Sequence, residues 1–171
     1  PALREILSTR DVQLVVLGTG EPELEYAFWR LDQDFPDKAT AFLQFDAALA
    51  QHIYAGCDIF LMPSHFEPCG MGQMMAMRYG ALPLVRETGG LADTVINYDN
   101  GDADTGTGFV FQWQTPSAVA GTLHWALDTF TNRKDAWVRM QRRGMLMDFS
   151  WDRSAKEYID MYQRAMNKIN T

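Results

Sequence analysis

A glutamate and two glycines lie close together in residues 64–72, directly before a predicted helix. The first backbone N–H groups of a helix have no partner within it, and the helix dipole favours negative charge at that end. Because Gly70 and Gly72 have no Cβ atom, a ligand could approach the main chain closely. Glu67 could meet sugar hydroxyls or a developing positive charge in the same loop. The pattern predicts a site for a phosphorylated sugar, with an ordinary strand–helix turn as the alternative.

Strands and helices are predicted to alternate around this loop. Apolar runs such as 58–62 are typical of buried parallel strands, and the segments between them have helical spacing. The alternation predicts an α/β fold with a doubly wound parallel sheet, whose ligands bind beyond the carboxyl ends of the strands. We predict strands at 13–17, 39–45, 58–62, 82–86 and 108–112, and helices at 2–7, 21–31, 46–55, 71–79, 117–130, 135–143 and about 150–169.

Three segments rich in glycine or polar residues are predicted to be turns or loops. Residues 18–20 (Gly-Thr-Gly) could line a cleft or form a tight turn, and they do not match the dinucleotide pattern G-x-G-x-x-G. Residues 88–90 (Thr-Gly-Gly) predict a turn. Residues 97–107, which are crowded with Asn, Asp and Gly, predict a mobile surface loop. Their acids lack the final glutamate of a calcium-binding EF-hand loop.

Length and composition limit the classes of function. A chain of 171 residues, 47% of them hydrophobic, is expected to form one soluble domain over residues 1–171. The net charge of −7 argues against nucleic acid as a partner, because a phosphate backbone needs a basic surface. No apolar run reaches membrane-spanning length, and no signal peptide is recognisable.

The two cysteines, Cys57 and Cys69, predict neither a disulfide framework nor a metal site. Their spacing fits no zinc pattern, and the three histidines are scattered. We therefore expect a reducing compartment, either the cytoplasm of a bacterium or a plastid. The start at Pro1, in the middle of a helical pattern, leads us to expect a fragment of a longer protein.

The stretch FEPCG, followed by MGQMMAMRYGALPLVRETGGLADTV, resembles the donor-binding signature of bacterial glycogen synthases and plant starch synthases. The match runs from about residue 45 to residue 95, and weaker matches are LGTGEPELE and FSWDRSAKEYIDMY. Because family members are retaining glucosyltransferases of the GT-B fold, the resemblance implies their C-terminal, Rossmann-like domain. It also implies ADP-glucose as donor, an α-1,4-glucan acceptor held through an N-terminal domain, and no metal or other cofactor.

The resemblance also implies a role for each residue of the signature. Glu67 matches a family glutamate that is important for activity, which implies a catalytic role beside the transferred glucose. From its sequence pattern alone, Phe45 would be assigned to the core. The implied substrate-binding residues are Phe45 stacked on adenine, Cys69 and Gly70 against the sugar, and Met71 and Gly72 with their amides at the distal phosphate.

Two features qualify this assignment. The family's basic R-x-x-x-x-K pair, which grips the diphosphate, is not present, and Arg4 and Arg10 do not match it. We therefore expect residues 1–171 alone to have no transferase activity. A neighbouring GT-B family has an E-x7-E pattern whose second glutamate holds the donor ribose. Counted from Glu67, that position is Met75, which favours the glycogen and starch synthases.

Two alternatives stay open beside this interpretation. One is another retaining GT-B glycosyltransferase that uses a different sugar nucleotide, and the choice between adenine and uracil is also open. The other is a non-catalytic module that binds a nucleotide sugar. The resemblance further implies that the C-terminal helix crosses toward the N-terminal domain, which would leave Tyr158, Met161 and Tyr162 partly uncovered here.

Overall fold

The computed structural model describes residues 1–100 and 104–169 of the chain. Strands and helices alternate along the described sequence, as predicted for an α/β fold. The strands are β1 (Leu14–Leu17), β2 (Ala39–Phe42), β3 (Ile59–Met62), β4 (Leu82–Arg86) and β5 (Phe109–Phe111). The helices are α1 (Ala2–Thr9), α2 (Pro22–Asp34), α3 (Ala47–Gly56), α4 (Gly72–Tyr79), α5 (Gly89–Thr94), α6 (Pro116–Asn132), α7 (Lys134–Leu146) and α8 (Trp151–Ile169).

The described strands form two parallel sheets. β1 pairs with β2, with Leu14 opposite Ala39, and β3, β4 and β5 form the second sheet in that order. Within the second sheet, Leu84 of β4 lies opposite both Leu61 of β3 and Phe109 of β5. The predicted sheet is therefore divided between β1 and β3, where no ladder of hydrogen bonds joins the described strands. An apolar cavity of about 610 Å³ is lined by α1, α2, the start of α6 and the carboxyl ends of β3 and β5.

The core lies mainly around the second sheet. One face of β4 places Leu82 and Leu84 against the buried side chains of α1, α6 and α7. The other face places Val85 against Met77 of α4 and Leu91 of α5. Burial on both faces explains why β4 is a continuous apolar run rather than an alternating one.

The first sheet is covered much less completely. Ala39 of β2 is buried, but α2 and α3 contain no buried residue, and Val15 of β1 is exposed. The molecule thus has two halves that differ in packing although both are built from parallel strands and helices. The first half is the first sheet with α2 and α3, and the second half is the second sheet with the helices packed on it. This difference matters below because the predicted site residues are divided between the halves.

Local sequence determines where several helices begin and end. Asp46 accepts a hydrogen bond at Oδ1 from the N–H of Leu49 (2.9 Å) and so caps α3. Thr115 caps α6 in the same way, as predicted, by accepting from the N–H of Ala118 (3.2 Å). At the C-terminal end of α4, Gly80 adopts a φ of 89°, the left-handed conformation that terminates many helices.

Three segments differ from the sequence predictions. The predicted strand 39–45 ends at Phe42, so Phe45 lies in the loop before α3. The predicted turn at 88–90 is the beginning of the helix α5. The loop 97–107 is held in place at both ends of its described part, because Tyr98 and Thr107 are buried. Residues 101–103 of this loop lie outside the described residues.

The C-terminal helix α8 is exposed along its described length apart from half-buried Ser154. Tyr158, Met161 and Tyr162 are each about half exposed, as the resemblance led us to expect. Where this helix packs in a longer protein stays a prediction. Within the described residues, no helix combines the length and apolar character needed to cross a membrane.

Candidate functional site

Five of the six predicted site residues lie in the loop between β3 and α4 or at the first position of α4. Gly70 adopts a φ of 71°, a left-handed conformation that suits glycine. No described residue accepts a hydrogen bond from the backbone N–H groups of Gly70, Met71 or Gly72, which we call the turn amides. These N–H groups stand at the start of α4, where the helix dipole also favours an anion.

The second half of the molecule packs directly against the main chain of this loop. A Cβ atom on Gly89 would overlap the carbonyl of Glu67, and one on Gly90 would overlap the carbonyl of Cys69. The N–H of Gly90 donates to the carbonyl of Glu67 (3.0 Å). α5 therefore holds the loop by close contact of main chain with main chain, and only glycine fits at both positions. The Gly-Gly pair was the sequence signal for this contact, but the sequence analysis predicted only a turn there.

Arg86, the last residue of β4, fixes the first part of the loop. Its Nε donates to the carbonyl of Ser64 (2.7 Å), and its Nη2 donates to the carbonyl of His65. The guanidinium is planar, and here two of its donors hold adjacent carbonyls. Sequence analysis assigned no role to this arginine, because nothing in its local pattern shows which carbonyls it would reach.

Glu67 is half-buried, with its main chain held by α5 and its side chain near Gly70. A Cβ atom built on Gly70 would lie 3.0 Å from the Cγ of Glu67. Among the described residues, no Lys, Arg or His forms an ion pair with the Glu67 carboxylate. A carboxylate without a cationic partner beside unpaired amides can face a positive charge that develops on a bound sugar.

The two cysteines occupy different surroundings. Cys69 is exposed in the loop, and its Sγ hydrogen-bonds to the adjacent carbonyl of Gly70 (3.7 Å). Cys57 is half-buried, and burial raises the pKa of its thiol above the ordinary value. A raised pKa makes Cys57 a poor nucleophile at neutral pH. Among the described residues, neither thiol has a basic hydrogen-bond partner that would activate it.

Phe45, the sixth predicted site residue, is 89% exposed in the loop before α3. Phe45 belongs to the first half of the molecule, but the helix that follows it, α3, packs against α4 through aromatic side chains. The rings of Tyr54 and Phe60 lie 4.9 Å apart, and Tyr54 stacks on Tyr79 of α4 at 6.4 Å. Desolvation at this contact raises the pKa of the Tyr54 hydroxyl, with a smaller contribution from Cys57.

The same aromatic contact reaches the start of α4. A Cβ atom on Gly72 would lie 3.0 Å from Phe60 Cε1 and 3.3 Å from the hydroxyl of Tyr54. The Tyr79 hydroxyl also donates to Gln51 Oε1 of α3 (2.9 Å). The helix α3, which begins shortly after Phe45, is thereby packed against the start of α4.

Two other features of the sequence were considered as parts of a site. The N–H of Gly20 donates to Glu25 Oε1 of α2 (2.8 Å), and a Cβ atom on Gly18 or Gly20 would meet nothing within 4 Å, so whether these glycines line a cleft stays a prediction. The described residues contain no group of three or more His, Cys, Asp or Glu side chains suited to a metal ion. The predicted independence from metals stays a prediction, as does each role assigned to Phe45, Glu67 and the turn amides.

The chain is similar to bacterial glycogen synthases over most of its length. It is 50% identical to "Glycogen synthase" of Thermotoga maritima over 96% of this chain and 34% of that protein. It is 51% identical to "Glycogen synthase" of Streptococcus pneumoniae over 97% of this chain and 34% of that protein. The chain therefore spans about a third of the length of these relatives.

A solved structure supports the same relationship. The catalytic domain of starch synthase IV from Arabidopsis thaliana, bound to ADP and acarbose, is 34% identical and superposes with a TM-score of 0.83. The match covers 97% of this chain and 34% of that one, and it confirms the predicted fold class. Residues 2–140 match the sequence model of the family described as "Glycosyl transferases group 1". The chain belongs to this glycosyltransferase family, as the resemblance of its FEPCG stretch predicted.

Proposed function

We propose that the chain is the donor-binding domain of a glycogen or starch synthase. The reaction is the transfer of glucose from ADP-glucose to the non-reducing end of an α-1,4-glucan, with retention of configuration. One observation carries this assignment to the site: the turn amides, which have no acceptor among the described residues, lie beside the carboxylate of Glu67, which has no cationic partner among them. This pairing supplies donors for a phosphate and a negative charge for the sugar that leaves it.

The turn amides of Met71 and Gly72 serve the distal phosphate in this proposal. When the bond between glucose and phosphate breaks, negative charge grows on the distal phosphate. N–H donors that are already oriented stabilise that charge without rearranging during the reaction. The helix dipole of α4 acts in the same direction. Cys69 and Gly70 line the sugar through their main chain, so the thiol takes no part.

Glu67 stabilises the glucosyl group as it acquires positive charge. Its carboxylate also accepts hydrogen bonds from sugar hydroxyls, which fixes the orientation of the ring. Phe45 provides a flat apolar face for the adenine, and its high exposure leaves that face open to a ligand. The reaction in this form uses neither a metal nor an organic cofactor.

The remaining requirements lie outside these residues. We propose that a basic pair elsewhere in the full-length protein holds the diphosphate and that a second domain holds the glucan acceptor. Residues 1–171 alone are then inactive. The similar glycogen synthases come from bacteria and the similar starch synthase from a plant, and our prediction for this protein is the cytoplasm, or a plastid if the source is a plant.

The test is a glucose-transfer assay with the full-length protein, glycogen and either ADP-glucose or UDP-glucose. We expect transfer from ADP-glucose, and we expect Glu67→Gln to lower kcat by about 100-fold or more while the protein stays folded. Glu87→Gln, which changes an acid on the neighbouring strand end, is the matched control. Transfer only from another nucleotide sugar would favour a different GT-B enzyme, and no transfer with retained nucleotide binding would favour a non-catalytic module.

A further inference from the structure

Gln73, in the first turn of α4, is a polar side chain with 0% exposure. Its Nε2 lies within hydrogen-bond distance of three oxygens: the carbonyls of Cys69 (3.1 Å) and Gly70 (3.0 Å), and Thr94 Oγ1 (3.0 Å). A buried carboxamide costs free energy unless it is well bonded, so this arrangement needs an explanation beyond filling space. None of the roles assigned above involves Gln73.

The network fixes the orientation of the Gln73 amide. If its oxygen and nitrogen were exchanged, the oxygen would face the carbonyl oxygens of Cys69 and Gly70. Thr94 offers no compensation, because its hydroxyl donates to the carbonyl of Gly90 (2.6 Å). Gln73 Oε1 is left buried without a hydrogen-bond partner among the described residues. The side chain therefore holds the two carbonyls through Nε2, while its Oε1 has no hydrogen-bond partner among the described residues.

Holding these carbonyls determines where the turn amides point. The chain contains no cis peptide bond among the described residues, and in a trans peptide the C=O and the following N–H point in opposite directions. The carbonyl of Cys69 shares a peptide plane with the N–H of Gly70, and the carbonyl of Gly70 shares one with the N–H of Met71. When Gln73 draws both carbonyls into the interior, both N–H groups are turned outward.

The position of Gly70 strengthens the same link. A Cβ atom there would lie 2.6 Å from Gln73 Oε1, so the carboxamide lies directly under the turn. Through Thr94, the network also reaches α5, whose first residues pack on the carbonyls of Glu67 and Cys69. The turn is therefore held both by the side chain of Gln73 and by the helix α5.

We propose that Gln73, assisted by Thr94, is a positioning residue that aims the amide of Met71 at the distal phosphate of the donor and that of Gly70 at its sugar. The inference rests on the proposed function, because it assigns these amides to a nucleoside diphosphate sugar. It predicts a specific signature: loss of Gln73 weakens the contact with the distal phosphate and leaves the base and proximal phosphate unaffected.

The test compares ADP with AMP, which lacks the distal phosphate, in the full-length protein. For Gln73→Leu, we expect the dissociation constant of ADP to rise about tenfold and that of AMP to stay within about twofold, since a hydrogen bond to a charged group is lost. Gln141→Leu is the matched control. Its Nε2 donates to the carbonyl of Gly80 (2.7 Å) at the other end of α4, and its loss should leave both constants unchanged.

A milder pair of variants guards against a general loss of structure. Thr94→Val removes the hydroxyl from the network and should reduce the preference for ADP over AMP in the same direction, whereas Thr94→Ser should retain it. If the preference of Gln73→Leu and Thr94→Val equals that of the wild type, or if ADP and AMP weaken equally, Gln73 has no positioning role. If the wild-type protein binds neither nucleotide, the proposed function itself fails. An unchanged preference in the variants of a protein that does bind ADP would overturn only the role of Gln73.

Discussion

The two halves of the molecule differ in how completely helices cover their sheets. Around the second sheet, helices cover both faces of β4, and residues such as Leu84 are fully buried. Around the first sheet, α2 and α3 have no buried residue. The turn amides lie in the well-packed half around the second sheet, whereas Phe45 lies in the loosely packed half around the first sheet. The difference indicates that packing within the chain fixes the proposed phosphate contact far more firmly than the proposed base contact.

This difference has a consequence for binding. Donors that are already oriented lose little freedom when a ligand arrives, so more of their interaction energy appears as affinity. The turn amides fit this description because α5, Gln73 and Arg86 hold their loop. Phe45 has an exposed ring at the edge of a loosely packed region, and ordering it on a base costs part of the stacking energy.

The largest effect should come from truncating the same residue type in the two halves. Leu84→Ala, at 0% exposure in β4, should lower the free energy of unfolding by about 2–5 kcal/mol, because it leaves a cavity in a packed core. Leu24→Ala, at 57% exposure in α2, should change it by about 0.5 kcal/mol or less. Urea denaturation of both variants measures the contrast, and equal losses would show that the first half is as well packed as the second.

The next effect comes from adding a methyl group rather than removing one. In Gly90→Ala, the new Cβ would overlap the carbonyl of Cys69, so we expect a loss of about 1–3 kcal/mol in unfolding free energy and weaker ADP binding. Gly121→Ala in α6 is the control, because a Cβ there meets nothing within 4 Å. It should stabilise the helix by about 0.5–1 kcal/mol. Stability of Gly90→Ala equal to the wild type would show that α5 does not hold the loop.

Phe45→Ala separates affinity from stability. Loss of a stacking face should weaken ADP binding by the full-length protein by about 1–3 kcal/mol. Because the ring is exposed, the melting temperature should stay within about 1 °C of the wild-type value, which corresponds to a few tenths of a kcal/mol. Trp113→Ala, another exposed aromatic residue, is the control and should change neither quantity. Unchanged ADP affinity in Phe45→Ala would remove the base platform from the proposal.

The parts of this structure that sequence predicts well are governed by local patterns. The run LPLVR predicted β4, because burial on both faces of a parallel strand needs apolar residues at successive positions. Thr115 before Pro116 predicted the start of α6 through a cap that forms within three residues. The contiguous loop from Glu67 to Gly72 could likewise be identified as one candidate site, since its residues are neighbours in the chain, and its roles stay a prediction.

Contacts between distant segments explain what the sequence did not show. The polar composition of residues 97–107 predicted a mobile loop, but Tyr98 packs against Phe109 and Trp125 in the core. Arg86 and Gln73 hold carbonyls, and any residue can supply a carbonyl, so their partners leave no trace in the sequence. Composition describes what a segment contains, whereas these contacts depend on what the fold brings beside it.

The smallest effect concerns that same loop and tests how it is held on the second half. Asp104 accepts hydrogen bonds from Arg143 Nη2 (3.0 Å) and Arg139 Nε (2.8 Å) of α7. The hydrogen bond from Arg143, together with the charges of Arg143 and Arg139, holds the pKa of Asp104 below its ordinary value of 3.8. A folded-state pKa that is lowered stabilises the protein above about pH 3.8, and this contribution is lost as the pH falls through the lower value.

An NMR titration of the Asp104 carboxyl carbon and the Arg139 Nε–H, which donates to it, would follow this loss directly. Both signals should change together at a pH below 3.8, and Asp104→Asn should abolish the change at Arg139. Because the pair is at the surface, Asp104→Asn should alter the melting temperature at neutral pH only slightly, and less than Gly90→Ala does. If Asp104 titrated at 3.8 or above, its ion pairs with α7 would not help to hold the loop, which would then depend on its other contacts, such as the burial of Tyr98 and Thr107 and the hydrogen bond from Arg143 Nε to the carbonyl of Gly106.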